Sequence, residues 1–158
     1  MGLDCSHDAW HGAYSAFMRW REKLAEVAGL PPLMLMDGFY APLNSKMGPC
    51  TLYHGFDTYK PAFGPDSRPY MAGLDDRLPI QWECLKPSAL HELLYHSDCD
   101  GEIPAARCGA IADALEELIP LLPDEDGGGY IENWREKTAQ FVAGLRKAAA
   151  SRKPLKFY

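Results

Sequence analysis

Four apolar stripes recur at helical spacing along this chain, and they limit it to a fold in which helices share a core. The clearest lies between about Ala13 and Ala28. Ala13, Phe17, Trp20, Leu24 and Val27 are spaced by four, three, four and three residues, which puts them on one face of an amphipathic helix. Arg19, Arg21, Glu22, Lys23 and Glu26 take the other face. Gly29 and Pro31-Pro32 supply the stop. A second helix is predicted over Ser88 to Tyr95, opened by Pro87, with Leu90, Leu93 and Leu94 as its stripe. A third starts near Pro104 and runs to about Leu118, with Cys108, Ile111, Leu115, Leu118 and Leu122 in phase. A fourth starts at Asn133, a good N-cap, and would bury Trp134, Thr138, Phe141, Leu145 and Ala148 before Pro154 closes it.

Strand signals are fewer. Leu78, Ile80, Trp82 and Cys84 alternate with Pro79, Gln81 and Glu83, the period of a half-buried strand. Weaker candidates are Gly2–Ser6, Leu33–Met36, Thr51–Tyr53 and Leu155–Tyr158. The expected fold class is therefore α+β: about four amphipathic helices packed on a small, mostly antiparallel sheet. Residues 1–158 read as a single domain. Residues 38–79, rich in Gly, Pro and Tyr, form a long ordered loop region in this reading, and a loop that long is functional or hides an element. Residues 124–129, Asp-Glu-Asp-Gly-Gly-Gly, read as a flexible connection.

Composition narrows the function classes. Hydrophobic residues make up 47% and charged residues 24% of the chain, enough apolar matter for a buried core. The net charge of −6 argues against a general nucleic-acid binder. No apolar run approaches the roughly 18 residues that span a bilayer. The start of the chain lacks the basic-then-apolar pattern of an export signal, so a cytoplasmic location is expected. The five cysteines are odd in number with no Cys-x-x-Cys, which favours free thiols; Cys84 and Cys108 fall on expected apolar faces. Charge is uneven. Residues 95–132 carry ten acids and one base, and residues 133–158 carry seven bases and one acid. The expected resolution is that the fourth helix lies against the acidic segment.

The most informative stretch is His96-Ser97-Asp98-Cys99-Asp100-Gly101-Glu102-Ile103. Asp-x-Asp-Gly-x-Ile is the middle of an EF-hand loop, where alternate carboxylates converge on calcium and glycine permits the turn. In that register His96 takes the first ligand position and Arg107 the twelfth, where a bidentate glutamate belongs. Tight calcium binding is not expected. Three readings follow: a helix-loop-helix turn in which Asp98 and Asp100 bond backbone amides; a non-standard metal site using Asp98, Asp100 or Glu102 with His96; or a small-molecule site faced by His96 and Asp98. His7 and His11 are four apart, as ligands on one helix face would be, but His-Asp-x-x-His is not the zinc-protease motif. His54, between Tyr53 and Gly55, could contact a ligand. No phosphate-loop, dinucleotide-binding or nucleophile-elbow pattern occurs, and the glycines at 127–129 follow three acids that would repel phosphate.

Three blocks carry a resemblance. Met-Gly-Leu-Asp-x-Ser-His-Asp followed by Gly-Ala-Tyr-Ser-Ala-Phe opens the chain; His-Ser-Asp-Cys-Asp-Gly-Glu-Ile followed by Cys108 lies in its middle; a basic last helix ending in Pro154-Leu155-Lys156-Phe157 closes it. Together they resemble a family of small uncharacterised proteins of bacteriophages and prophage regions. The resemblance implies a context, a phage protein acting in the host bacterial cytoplasm, and no activity. Small phage proteins often blunt host defence, and one class sequesters nucleotide signals in a pocket with aromatic walls. Tyr14, Tyr40, Tyr53, Tyr59, Tyr70 and Tyr130, with Arg19, Arg21 and Arg68, are suitable materials. The leading expectation is a non-enzymatic small-molecule-binding protein that sequesters a nucleotide immune signal. Its ligand-binding residues would be Asp4, His7, Tyr14, Tyr53, His54, His96 and Asp98, with His7 and His96 lining one pocket. No cofactor and no nucleic-acid or membrane partner is expected, and a homo-oligomer with the ligand pocket built across it fits the same sequence. The alternatives are a metal-dependent hydrolase of phosphate esters using His7, His96, Asp98 and Asp100, and a protein-binding inhibitor or structural factor.

Overall fold

A computed structural model of the chain describes residues 2–39 and 80–158. Two compact units emerge, one formed by Met1–Leu24 with Ser88–Tyr158 and the other by Ala25–Pro87. The fold is α+β, and among the described residues the helices are α1 (Tyr14–Val27), α2 (Leu90–Leu94), α3 (Ala105–Leu118) and α4 (Trp134–Ser151). The strands are β1 (Gly2–Cys5), β2 (Trp10–Ala13), β3 (Glu102–Ile103) and β4 (Leu155–Lys156). β1 pairs antiparallel with β2, and β3 with β4. An antiparallel bridge between Cys5 and Phe157 joins the two ladders, and Asp4 exchanges both backbone hydrogen bonds with Tyr158, at 2.8 and 3.0 Å. The strand order is therefore β2, β1, the 155–158 segment, β3.

The apolar stripes become the core as their spacing requires. Trp20, Leu24, Leu94, Ile111, Leu115, Phe141 and Leu145 are all fully buried. Trp10, Phe17, Trp20, Phe141 and Phe157 form an aromatic cluster, with centroids 5.0 Å apart for Trp10–Phe17, 4.7 Å for Trp20–Phe141 and 5.9 Å for Phe17–Phe157. Thr138 is the buried polar member of the α4 stripe. Its hydroxyl donates to the Trp134 carbonyl at 2.8 Å and accepts the Trp20 indole N–H at 2.9 Å, so no polar atom of that contact is left unpaired. Asn133 caps α4, its side-chain oxygen accepting from the amides of Arg135 and Glu136. The opposed charges meet: α4 packs along α3, and Arg146 pairs with Asp113 at 2.6 Å and Glu116 at 2.9 Å. The segment 124–129 carries its own bonds, among them the Gly128 amide donating to Asp126 Oδ1 at 2.7 Å.

Four expectations are corrected. The alternation over Leu78–Cys84 is not a strand in its described part: Ile80 makes a single parallel bridge with Met36, and Trp82–Cys84 is a 3-10 turn. The Trp82 indole N–H donates to the Asp37 carbonyl at 3.0 Å, and the chain turns there, leaving Cys84 exposed rather than on an apolar face. Leu33–Leu35 is likewise a 3-10 turn, directly after Pro32, which has no N–H to give a ladder. β2 lies at Trp10–Ala13, where no strand was expected. It is made by a tight turn in which His7 (φ 60°, ψ 22°) and Asp8 (φ 59°) are both left-handed. That is the twist a two-residue hairpin favours, usually with Asn-Gly. Finally, Arg21 and Glu22, assigned to the solvent face of α1, are buried at 1% and 9% exposure. The Thr51–Tyr53 strand and residues 40–79 of the long loop lie outside the described residues.

Leu115 sits wholly inside the contact of α3 with the core. Leu115→Ala should cost about 2–5 kcal/mol of stability, the range for a buried leucine that leaves a cavity, measured by urea denaturation. A loss under about 1 kcal/mol would place α3 at the periphery.

Candidate functional site

Arg21 organises the acidic loop. α1 delivers its side chain inward, where the guanidinium donates to the carbonyls of Leu94 at 3.2 Å and His96 at 2.5 Å. Those carbonyls belong to the end of α2 and the residues just after it, where backbone acceptors lack helical partners. Arg21 Nη2 also lies 3.6 Å from Asp98 Oδ2, and the guanidinium carbon is 4.8 Å from the Phe17 ring centroid. A buried arginine is tolerated because its charge is met by two carbonyls, a carboxylate and an aromatic face.

His96 lies flat on Phe157, the ring centroids 4.1 Å apart and the planes 26° off parallel. Its Nδ1 is 2.7 Å from the Ser97 carbonyl, which can only accept, so Nδ1 carries a proton. Gly101 (φ 96°) makes room for this stack. A side chain there would meet His96 Cε1 at 3.3 Å and would need a left-handed backbone. Asp100 Oδ1 accepts the Ser97 hydroxyl at 2.6 Å. Glu102 stands exposed in β3 opposite Lys156, and Arg107 is 3.5 Å from Glu92. Asp98 and Asp100 thus have separate partners, and Glu102 is exposed. Among the described residues no group of three or more His, Cys, Asp or Glu side chains is placed to hold a metal ion.

The N-terminal residues divide across the hairpin. Asp4 faces outward from β1 and bonds His11 Nδ1 directly across the ladder, both side chains being largely exposed. His7 projects from the left-handed turn and is half-buried; it does not share a helix face with His11, because His11 is a strand residue. Asp8 lies 3.4 Å from Lys147, and its carbonyl accepts from Gln140 at 3.0 Å. Tyr14 is half-buried at the start of α1. Tyr53 and His54 lie outside the described residues. Asp4 and His96 meet the same short segment: Asp4 pairs with Tyr158, while His96 stacks on Phe157, whose amide donates to the Gly101 carbonyl at 3.0 Å. The Ser6 hydroxyl accepts the Lys156 amide at 2.9 Å. The sequence reading named Arg21 and His11 but missed their roles, Arg21 because a cation at that position reads as solvent-facing and His11 because its partner Asp4 lies seven residues away across the hairpin.

Burial, reinforced by the Asp4 carboxylate, pushes the Cys5 thiol up to about 12. Comparisons with protein-family models, with curated proteins and with solved structures returned no match.

Two measurements probe this region. Arg21→Met should cost at least about 2 kcal/mol, because two carbonyls lose their donor. Asp98→Asn should cost less than that, because the two carbonyls still hold the guanidinium. The reverse ranking in denaturant titrations would make the ion pair the principal contact. His91, on α2, is 8% exposed, and burial holds its pKa below the usual histidine value. Above the unfolded-state pKa of about 6.5 both states are neutral there and the full stability is present. As pH falls through that value the unfolded chain takes the proton first and stability is lost. Between about pH 7 and pH 5, wild type should therefore lose more stability than His91→Gln. Equal losses would show that His91 does not couple folding to pH.

Proposed function

We propose that this protein binds a small molecule without turning it over, and that it sequesters a nucleotide signal of a bacterial host as a phage-type protein of the host cytoplasm. One observation carries the reading. The three separated blocks that resemble the phage family meet in space: Asp4 and Cys5 pair with Tyr158 and Phe157, Gly101 and Glu102 pair with Phe157 and Lys156, and His96 stacks on Phe157. Loops gathered on a rigid scaffold are where ligands are commonly held. The competing hydrolase reading needs Asp98 and Asp100 available to a cation, and these are committed to Arg21 and Ser97. No helix among the described residues is long and apolar enough to cross a membrane.

Protein purified from bacterial cells, then heat-denatured and filtered, tests this. A nucleotide should appear in the filtrate at about one per chain by mass spectrometry, and His96→Ala should reduce it while still unfolding in one cooperative transition, lowered by the loss of the ligand. A filtrate free of nucleotide, from protein expressed during a defence response, would overturn the reading.

A further inference from the structure

A buried hydrogen-bond donor without an acceptor among the described residues, the Trp10 indole N–H, belongs to a ring that carries an ammonium over its face. Trp10 is 1% exposed, and its indole N–H has no partner among the described residues. A buried tryptophan normally finds an acceptor for this group, and leaving it unpaired is costly. Lys137, on α4, holds its ammonium over the same ring, 4.7 Å from the centroid. Burial lowers its pKa, opposed by the Glu132 carboxylate acting at a distance. No hydrogen bond or ion pair reaches Lys137 Nζ among the described residues. A water molecule could satisfy the indole, but only an anion satisfies the indole and also neutralises a half-desolvated ammonium.

The approach to the indole edge is also built. Gly12 lies beside it: a Cβ there would be 3.4 Å from Trp10 Nε1 and 2.7 Å from the Cβ of Tyr130. The lack of a side chain at 12 therefore lets Tyr130 pack against the backbone beside the N–H. Tyr130 is itself 55% exposed and sits in the turn Gly129–Ile131, so swinging it aside uncovers little apolar surface. Its ring then stands next to whatever occupies that site. The turn ends at Glu132 (φ 55°, ψ −121°), a backbone region rarely used outside glycine.

We propose that Trp10 Nε1 and Lys137 Nζ form a phosphate subsite, with Tyr130 beside it. This rests on the small-molecule reading above and names the chemistry that would be recognised: a phosphate with one oxygen accepting from the neutral N–H and its charge facing the ammonium, with an aromatic ring beside it for a base. Glu132 weakens the site by sharing the charge of Lys137.

The indole N–H resonances in a proton–nitrogen NMR spectrum test it, with Trp10 assigned by Trp10→Phe and inorganic phosphate as the probe. Phosphate should shift the Trp10 signal saturably and leave the Trp20 signal, already bonded to Thr138, in place. Lys137→Met should weaken the apparent Kd by about tenfold or more, the loss of a charge-assisted bond. Glu132→Gln should strengthen it. The Trp20 signal at its wild-type position certifies that each variant is folded. Should Lys137→Met fail that check, Lys137→Gln takes its place, with Lys137→Arg expected to retain binding. A Trp10 signal that does not move, a shift that never saturates, or an affinity unchanged by loss of the ammonium overturns the subsite. Released nucleotide together with an unresponsive Trp10 overturns the subsite alone, whereas a phosphate-responsive Trp10 without released nucleotide overturns only the sequestration reading.

Discussion

The guanidinium of Arg21 is the contact on which the described arrangement turns. It is delivered into the protein from the side of α1 that carries most of that helix's charges, and it terminates α2 by taking up the carbonyls of Leu94 and His96. With those carbonyls held, the chain leaves α2 and the loop from His96 to Gly101 runs on to β3. Arginine suits this role because its planar fork serves several acceptors at once and its charge is permanent. A lysine would bring one ammonium to a site that spreads two carbonyls and a carboxylate.

The second organising element is the segment from Leu155 to Tyr158. It is short, yet it is bonded on both sides, to β3 through Glu102 and Ile103 and to β1 through Asp4 and Cys5. Leu155 and Phe157 point into the core, whereas Lys156 and Tyr158 point out. Phe157 contacts Phe17 on one side and His96 on the other, so the aromatic cluster and the acidic loop share one ring. Removing solvent from that ring is favourable in itself, and the stack on His96 adds orientation. Two ladders too small to stand alone are thereby tied together.

The helices were legible because their signal is periodic and local. The residues expected to be buried along α2, α3 and α4 are buried, and Asn133 caps α4, since a stripe at 3.6-residue spacing has one low-energy way to meet a core. The hairpin was not legible, because its turn uses His7 and Asp8 in a conformation that sequence associates with Asn-Gly. Of the expected site, Asp4 and His96 come to the same segment and Asp98 turns to Arg21, while Tyr53 and His54 fall outside the described residues. The strand expected at Leu78–Cys84 failed in its described part because alternation records only that every second residue is apolar. It does not supply the partner strand that would turn alternation into a ladder.

By itself the sequence determined the α+β class, the identity of the helices and the residues of their common core, because burying apolar stripes is a local demand repeated along the chain. Which charges would be interior was decided by tertiary structure alone. Arg21 and Asp98 are 77 positions apart, and nothing near either residue announces the other. The same holds for the lone indole N–H of Trp10 beneath Lys137 and for the ring of Phe157 under His96. Polar groups are cheap in water and expensive inside, so their meaning depends on what the completed fold brings to them, and that is a property of pairs that no local pattern encodes.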